Sequence, residues 1–424
     1  MPARHLPVRP DLDQLKHQAK DLLRAIRRGD PSAIEDLQTY HPEKLEPAKV
    51  KLADAQLVLA RSYQSPSWHR LVLSCRLIDA IWKNDLDEVR ALVIKYPALL
   101  HENAGVRNNN WGPPMAYAAN LGRDDMIEML HGLGATDLEQ ALERATLQSR
   151  IGTARKLHTM LGAPRPKVGS LGGPAYTLSV PGTALMLEFG AQLRDENGRP
   201  NAPVAVVIES DSRNPHAKHT ILEMYAEHGF VLPDTPMMAL HRGRIDLLEE
   251  HLRRHPSLLS RTFDYDEIFP PELQCHDEQL PRTTLSGATL LHVCVEFDEL
   301  EIARWLLDQG MSADTPAAID ASGFGGHTAL FGAVVSYANF WANFTGSWQY
   351  KGPATDSPFA RLLLDRGANP NARASLREKV MKGDDRRPRE HRDITPLTWG
   401  ARFHDRLIVS VPAMHLITER GGHG

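Results

Sequence analysis

The sequence predicts an all-α protein built as a helical solenoid, with an N-terminal helical cap and long inserted loops. Two observations predict this fold class. One motif, made of an amphipathic helix, a polar turn, a second helix and a proline stop, occurs twice with an offset of 159 residues. Shorter helix-starting and helix-ending motifs recur between the two copies and after them. Because one such unit cannot bury its apolar face alone, the units are expected to stack.

Composition limits the classes of protein to which the chain can belong. It has 424 residues, of which 42% are hydrophobic and 24% charged, and its net charge is −4. These values exclude a disordered, a collagen-like or a coiled-coil chain. Nucleic acid is not an expected partner, because phosphate contacts need a strongly basic surface. No apolar run approaches the ~18–20 residues of a membrane helix, so no membrane partner is expected.

The cysteines and the N-terminus predict a reducing, cytoplasmic location. Cys75, Cys275 and Cys294 are too few and too scattered for a disulfide framework or a four-cysteine zinc site. Residues 1–7 lack the apolar stretch of a secretory signal. No metal and no cofactor is expected, since no phosphate loop, nucleophile elbow or zinc motif is evident. Cys294 is expected to be buried and inert.

Residues 1–78 are predicted to form the helical cap. Apolar residues at helical spacing indicate a first helix, a Gly-Asp-Pro-Ser sequence at 29–32 starts a second, and 52–61 is typical of a third. We interpret this region as a shield for the first repeat, with an independent functional domain as the alternative. The apolar residues of the first helix are Leu12, Leu15, Ala19, Leu22, Leu23 and Ile26.

The long motif begins each of the two following regions, 79–235 and 236–424. In both copies a proline ends the second helix, because proline cannot continue a helix. Five identities in one register argue against a chance match. The identical pairs are Ala80 and Ala239, Asp87 and Asp246, Pro97 and Pro256, Leu99 and Leu258, and Leu100 and Leu259.

Shorter motifs supply further repeats. Segments 287–294, 326–333 and 393–401 start helices, and the leucine-rich segments 306–310 and 362–372 end them with glycine. Glycine after a helix takes the left-handed conformation that ends it. More degenerate copies lie at 113–135, 187–191 and 225–229.

These motifs resemble the ankyrin repeat, which starts with Gly-x-Thr-Pro-Leu-His-x-Ala and closes with Leu-Leu-x-x-Gly-Ala-x-x-Asn. The resemblance is strongest over 287–372 and covers most of the chain from residue 79. It implies a helical solenoid with a concave binding face, and the helical lead-in is similar to that of some bacterial ankyrin proteins. Threonine at the start of each first helix is expected to cap it, at Thr289, Thr328 and Thr395.

Three insertions, at about 260–288, 336–358 and 373–392, interrupt the repeats. The first contains a finger at 264–278 with six carboxylates and no lysine or arginine. Crowded carboxylates can form an acid/base pair or bind a cation. The alternative interpretation is a solvated acidic loop.

The second insertion holds six aromatic residues within fourteen positions, 337–350. Aromatic faces beside asparagine amides suit sugars or other flat ligands. The alternative is that the rings pack a lengthened helix. The third insertion has eight Lys/Arg against four Asp/Glu, which suits a flexible charged finger or a contact with phosphate or an acidic partner.

The function that these features predict is an interaction scaffold that binds a protein or small-molecule partner through its concave face and inserted loops. The alternative is a carboxylate-dependent hydrolase of carbohydrate, with a pocket between the acidic finger and the aromatic insertion. The oligomeric state is not predicted. Candidate catalytic residues are Asp264, Asp266, Glu267, His276 and Asp277, and candidate ligand-binding residues are Asn108, Asn110, Trp111, Tyr117, Tyr265, Trp341, Trp348 and Tyr350.

Overall fold

The computed structural model describes nine stretches of the chain, which divides into two compact units. Unit 1 ends at Pro164 and unit 2 begins at Arg165. Both units are helical, which confirms the predicted fold class. None of the helices in the described stretches combines the length and the apolarity that crossing a bilayer requires. The described residues are 4, 6–105, 111–199, 203–210, 213–275, 283–335, 355–378, 388–402 and 409–424.

Unit 1 consists of helices joined by short turns, with two 3₁₀ turns at Pro47–Lys49 and Pro97–Leu100. The α-helices are α1 (Leu12–Arg28), α2 (Pro31–Tyr40), α3 (Leu52–Ser62), α4 (Trp68–Lys83), α5 (Leu86–Lys95), α6 (Pro114–Leu121), α7 (Asp124–Gly132), α8 (Leu138–Leu147) and α9 (Ile151–Met160).

Unit 2 continues with shorter helices and carries 3₁₀ turns at Pro256–Leu259 and Pro271–Leu273. Its α-helices are α10 (Gly172–Tyr176), α11 (Val180–Glu188), α12 (Pro203–Glu209), α13 (Pro215–Glu227), α14 (Pro236–His241), α15 (Ile245–Arg254), α16 (Tyr265–Ile268), α17 (Leu290–Phe297), α18 (Leu300–Asp308), α19 (Ala329–Ala333), α20 (Pro358–Asp365), α21 (Pro396–Ala401) and α22 (Val411–Glu419).

The first helix follows directly from its sequence. Asp11 caps α1 by accepting hydrogen bonds from the N–H groups of Asp13 and Gln14, and Gly29 ends it in the left-handed conformation. The buried side chains of α1 repeat at helical spacing and pack in one cluster with α2, α3 and the start of α4. The predicted periodicity is confirmed, whereas the predicted division at residue 78 falls within α4.

One backbone arrangement, a left-handed residue followed by a backbone hydrogen bond, closes the turn between paired helices. The first helix ends at a residue with positive φ, and the N–H of the next residue bonds to the carbonyl five residues earlier. This closure occurs in both units, including the region 136–235 where the sequence motifs are weakest. The left-handed residues are Asn84, Gly122, Ser149, Leu178, Gly243 and Asp298, and the residues that follow them are Asp85, Arg123, Arg150, Ser179, Arg244 and Glu299.

The two copies of the long motif have the same backbone conformation. Asn84 and Gly243, which are 159 positions apart, both have left-handed φ, at 59° and 68°. At the end of the second helix, Tyr96 has φ −130° and ψ 76°, and His255 has φ −137° and ψ 79°. A 3₁₀ turn that starts with proline follows in each copy. The internal repeat predicted from five identities is therefore a structural repeat.

The threonine caps differ from one another. Thr395 Oγ1 accepts a hydrogen bond from the N–H of Thr398 at 3.3 Å, as predicted. At Thr289 the His292 ring takes part, because its Nδ1 lies 2.8 Å from Thr289 Oγ1 and 3.3 Å from the Thr289 N–H. Thr328 has the extended backbone of an N-cap, but its buried hydroxyl has no hydrogen-bond partner, so the predicted side-chain cap is wrong there.

The ends of the third insertion pair as strands, which the all-α prediction did not include. β1 (Ala374–Arg377) runs antiparallel to β2 (Glu390–Ile394), with Leu376 opposite His391 and a register shift between Ala374 and Leu376. Residues 379–387 lie outside the described part of the chain. The charged insertion therefore begins and ends as a β-ribbon.

We predict that Gly243→Ala destabilises unit 2 more than Gly229→Ala. Both glycines have positive φ, so each alanine costs about 1–2 kcal/mol in backbone strain. At Gly229 an added Cβ meets nothing within 4 Å, whereas at Gly243 it would lie 2.2 Å from Nδ1 of His219 and displace that ring from Glu299. Urea unfolding curves measure both variants; equal losses of unfolding free energy would contradict the predicted clash.

We predict opposite effects for valine at two threonine caps. Thr395→Val removes the acceptor for the Thr398 N–H and should cost about 0.5–2 kcal/mol of unfolding free energy. Thr328→Val removes a buried hydroxyl that has no partner, so it should be neutral or stabilising. Thermal unfolding of the two variants provides the comparison, and a larger loss at Thr328 would refute this assignment of the caps.

Candidate functional site

Asn120 organises a polar site within unit 1. It lies on α6 and is fully buried, and its Nδ2 donates to the carbonyl of Ala116 at 2.9 Å. Its Oδ1 accepts from Nε of Arg144 at 2.8 Å, and its backbone carbonyl accepts from Nε of Arg150 at 3.2 Å. One buried asparagine thus orients two guanidinium groups that come from α8 and from the turn after it.

A third guanidinium joins them through the neighbouring turn. Arg123 follows Gly122 at the end of α6, and its Nη2 donates to the carbonyl of Trp82 at 2.7 Å. We call Arg123, Arg144 and Arg150 the arginine cluster. All three are half-buried, and none forms an ion pair with a carboxylate in the described part of the chain.

Burial weakens proton binding by Arg144 and Arg150, and Arg123 also repels Arg150. Burial lowers the pKa of Arg144 to about 10. Burial also lowers the pKa of Arg150, and the positive charge of Arg123 lowers it further. The charge of Glu143 partly offsets that of Arg144, whereas no ion pair in the described part of the chain neutralises Arg123 or Arg150.

Aromatic rings form one wall of the arginine cluster. The guanidinium carbon of Arg144 lies 5.7 Å from the ring centroid of Trp111, a distance typical of a cation–π contact. Trp111 in turn contacts Trp82 at 6.3 Å and Tyr117 at 4.7 Å between centroids. The Tyr117 hydroxyl donates to the carbonyl of Val8. Trp111 and Tyr117, predicted as ligand-binding residues, are buried and pack the core beside the cluster.

The corresponding arginine of unit 2 has the opposite environment. Arg244 follows a left-handed residue as Arg123 and Arg150 do. It lies 2.5 Å from Asp246 and 3.3 Å from Glu223, and hydrogen bonding to Asp246 raises its pKa. The same position in the helix pair therefore carries a neutralised arginine in one unit and unpaired arginines in the other.

Unit 2 also contains a buried cluster of ion pairs. Arg213 lies 2.5 Å from Glu296, and Lys218 lies 3.1 Å from Glu299, with all four side chains almost fully buried. The Lys218 ammonium is 4.2 Å from the ring centroid of Phe297. Two cations face two carboxylates, so the cluster is charge-balanced. We interpret it as a structural element, because breaking either buried pair would leave an uncompensated charge.

Two buried histidines, each on the first helix of a helix pair, form hydrogen bonds to the segment that follows that pair. Nε2 of His292 lies 2.9 Å from the carbonyl of His327, and Nε2 of His241 lies 3.0 Å from the carbonyl of Ile268. A carbonyl only accepts, so Nε2 carries the proton and each ring is neutral with Nδ1 as an acceptor. Burial lowers the pKa of His292 to about 4 and that of His241 to about 3.

The acidic finger is folded against the core rather than fully solvated. Asp264 precedes the short helix α16, and Glu267 accepts a hydrogen bond from the Asp264 N–H at 3.0 Å while pairing with Arg261 at 2.5 Å. Asp266 is exposed and Tyr265 is half-buried. These contacts use Asp264 and Glu267 for helix capping. The buried apolar residues of the finger are Ile268, Phe269, Leu273 and Cys275.

The remaining predicted site residues lie outside the described part of the chain. They are Asn108, Asn110, His276, Asp277, Trp341, Trp348 and Tyr350. No group of three or more His, Cys, Asp or Glu side chains within the described ranges is arranged to hold a metal ion. Cys294 is fully buried as predicted, and burial raises its thiol pKa.

A second surface feature of unit 2 is formed by its connecting segments. Gly325 and Ser375 exchange backbone hydrogen bonds at 2.7 and 3.2 Å, which joins the turn 319–325 to β1. We call this turn together with β1 and β2 the finger ribbon. Ile319, which pairs with Gly325 across the turn, is 67% exposed. The carbonyl of His327 anchors its base by accepting from the Ala317 N–H at 2.8 Å.

Sequence reasoning identified Trp111 and Tyr117 but missed the arginines beside them. Arg123 and Arg150 share one position in consecutive helix pairs, and this correspondence is the signal that could have found them. It was hidden because Ser149, not glycine, occupies the left-handed position before Arg150. Asn120 gave no signal, since nothing in the sequence distinguishes it from a solvent-exposed helical asparagine.

We predict that His292 contributes, together with His241, to an acid sensitivity of unit 2. Its folded pKa of about 4 lies below the ordinary 6.5, so the unfolded chain binds the proton first as pH falls. Stability is fully present above about pH 6.5 and is lost toward pH 4, with a slope of up to about 1.4 kcal/mol per pH unit. His292→Gln should reduce the measured slope by up to this amount and leave the part that His241 contributes, whereas the exposed control His255→Gln should not change it. Unchanged slopes in denaturant titrations of both variants would contradict the assignment.

Comparisons with known proteins agree with the repeat pattern. The ankyrin repeat family model matches residues 286–321, which contain α17 and α18. Among solved structures, the ankyrin repeat domain of human ASB11 matches with 18% identity over 61% of this chain and 99% of that domain, at a TM-score of 0.29. No curated protein sequence matches the chain. The family match falls on the segment where Thr289 and His292 form the expected helix start, so residues 286–321 of the chain contain an ankyrin repeat.

Proposed function

We propose that the chain is an interaction scaffold that binds a protein partner, with the finger ribbon of unit 2 as a principal contact surface. Ankyrin repeats build interaction surfaces rather than reaction centres, and the fold alone does not specify the partner. The observation that carries the proposal is an exposed isoleucine, Ile319, beside a hydrogen-bonded turn of the finger ribbon.

Burial in the first helices directs the contact to the connecting segments. All eight residues of α17 are buried, as are Pro114–Asn120 of α6. Such helices have no side chains to offer a partner. The concave face that the resemblance implies would therefore contact a partner mainly through the turns that project beyond these helices.

The tip of the finger ribbon is preorganised. Asp320 Oδ1 accepts hydrogen bonds from the N–H groups of Ser322 and Phe324 at 2.8 and 2.9 Å, which fixes the turn. The guanidiniums of Arg377 and Arg392 lie 3.8 and 4.3 Å from the Phe324 ring centroid. A fixed loop loses little entropy on binding, which favours affinity.

The hydrolase alternative gains no support from the described residues. Asp264 and Glu267 serve the start of α16, Asp266 is exposed to solvent, and the described ranges hold no catalytic arrangement around them. We therefore keep the interaction scaffold as the proposed function.

We predict that Ile319→Glu weakens partner binding while Ile94→Glu does not. Both isoleucines are exposed, at 67% and 62%, so neither substitution should unfold the protein. Proteins that the full chain captures from native lysate are first compared between variants by quantitative mass spectrometry. The captured protein that Ile319→Glu loses is then purified, and its affinity is measured by calorimetry.

A loss of about tenfold or more in affinity for Ile319→Glu, with Ile94→Glu unchanged, is expected. Equal binding by both variants would rule out the finger ribbon as the contact surface. Absence of any protein that binds the purified full chain directly would overturn the scaffold function itself.

A further inference from the structure

We propose that the arginine cluster of unit 1 is a binding site for a phosphoryl group, either free or carried by another molecule. The site is distinct from the finger ribbon and does not depend on the scaffold function. It is built by Arg123, Arg144 and Arg150 around Asn120.

The first observation that supports the proposal is the positive charge of the arginine cluster. Half-buried guanidiniums without a counter-charge repel one another and lose solvation, and proteins ordinarily pair such groups. Two arginines of unit 2 follow that rule, since Arg213 pairs with Glu296 and Arg244 with two carboxylates. Within the described residues Arg123 and Arg150 have no carboxylate partner, and Arg144 has only the nearby charge of Glu143, with which it forms no ion pair. An anion from solution would supply the missing charge.

The second observation is that several N–H donors of the arginine cluster have no acceptor in the described part of the chain. Asn120 engages only the Nε groups of Arg144 and Arg150. In the described part of the chain, the terminal Nη groups of these two arginines make no hydrogen bond. Nε of Arg123 is buried and also has no partner. The cluster therefore presents several fixed N–H donors and needs a ligand with several acceptor oxygens.

The third observation is that contacts within unit 1 hold the three arginines in place before a ligand binds. Buried Asn120 fixes two of the guanidiniums, the Trp82 carbonyl fixes the third, and the Trp111 ring supports Arg144. Arginines held by packing and hydrogen bonds lose little side-chain entropy when a ligand binds. The same contacts also keep the positive charges together in the absence of a ligand.

The charge of the cluster selects the class of anion. A carboxylate neutralises one of three positive charges, whereas a phosphoryl group carries about −1.5 to −2 charges at pH 7 and three acceptor oxygens. Arginine forks match phosphate oxygens bidentately. A phosphoryl dianion therefore fits three guanidiniums better than a carboxylate does.

The test compares Arg150→Gln with Arg244→Gln in the full chain, each in chloride and in phosphate. Thermal unfolding is recorded in chloride and in inorganic phosphate at equal ionic strength, and phosphate affinity is measured by calorimetry. Phosphate should raise the melting temperature of the unmutated protein by a few degrees. Arg150→Gln should lose the phosphate effect, with affinity reduced about tenfold or more; because it also removes the donor to the Asn120 carbonyl, its melting temperature in chloride is only the baseline for this comparison.

Arg244→Gln should behave in the opposite way. It breaks two ion pairs, so it should lower the melting temperature in chloride, yet it should retain the phosphate effect of unit 1. Equal phosphate responses in the two variants, or no phosphate response in the unmutated protein, would overturn the proposal.

Two further probes distinguish the sources of the phosphoryl group. O-phosphoserine and a phosphoserine-containing peptide are compared with inorganic phosphate, with serine and the unphosphorylated peptide as controls. Tighter binding of the phosphopeptide would assign the site to a phosphorylated partner, and equal affinities would assign it to free phosphate compounds. Binding of the unphosphorylated controls with the same affinity would contradict a phosphoryl site.

Discussion

The closure between paired helices is the interaction on which the rest of the structure depends. In six helix pairs of the described chain, a left-handed residue is followed by an N–H that bonds back to the carbonyl five residues earlier. This bond ends the first helix and sets the start of the second. The residue that follows the left-handed residue therefore has the same position in each helix pair. In the pairs that carry the charge clusters this residue is Arg123, Arg150, Arg244 or Glu299.

The electrostatics of the protein follow from what surrounds that recurring position. In unit 2 the charges are balanced, with Lys218 against Glu299 and Arg244 against Asp246. In unit 1 the same position holds Arg123 and Arg150, which no carboxylate of the described chain neutralises. A common backbone thus supports two outcomes: a buried network that stabilises the repeats, and a cationic site available to a ligand.

The sequence predicted the parts of the fold that depend on local rules. The buried face of α1, the proline stops and the cap at Thr395 follow from periodicity, backbone restriction and side-chain hydrogen bonding. Helix pairs in 136–235 were harder to recognise because Ser149 and Leu178 occupy left-handed positions where glycine is expected. The β-ribbon of the third insertion depends on pairing across thirteen or more positions, which composition does not encode.

The candidate site was only partly accessible to sequence reasoning. Trp111 was singled out as a ligand contact, yet its ring is buried and supports Arg144. The link between Asn120 and Arg150, and that between Lys218 and Glu299, join residues 30 and 81 positions apart. Such pairs form through tertiary packing, so no local sequence pattern predicts them.

The most direct test of the central claim, that the arginine cluster is an oxyanion site, is a crystal structure of the full chain grown with tungstate in place of phosphate. The account predicts an anomalous peak within hydrogen-bond distance of at least two guanidiniums among Arg123, Arg144 and Arg150, and none at the paired Arg244. An ordered cluster without a peak, or one neutralised by a carboxylate of the same chain, would contradict it.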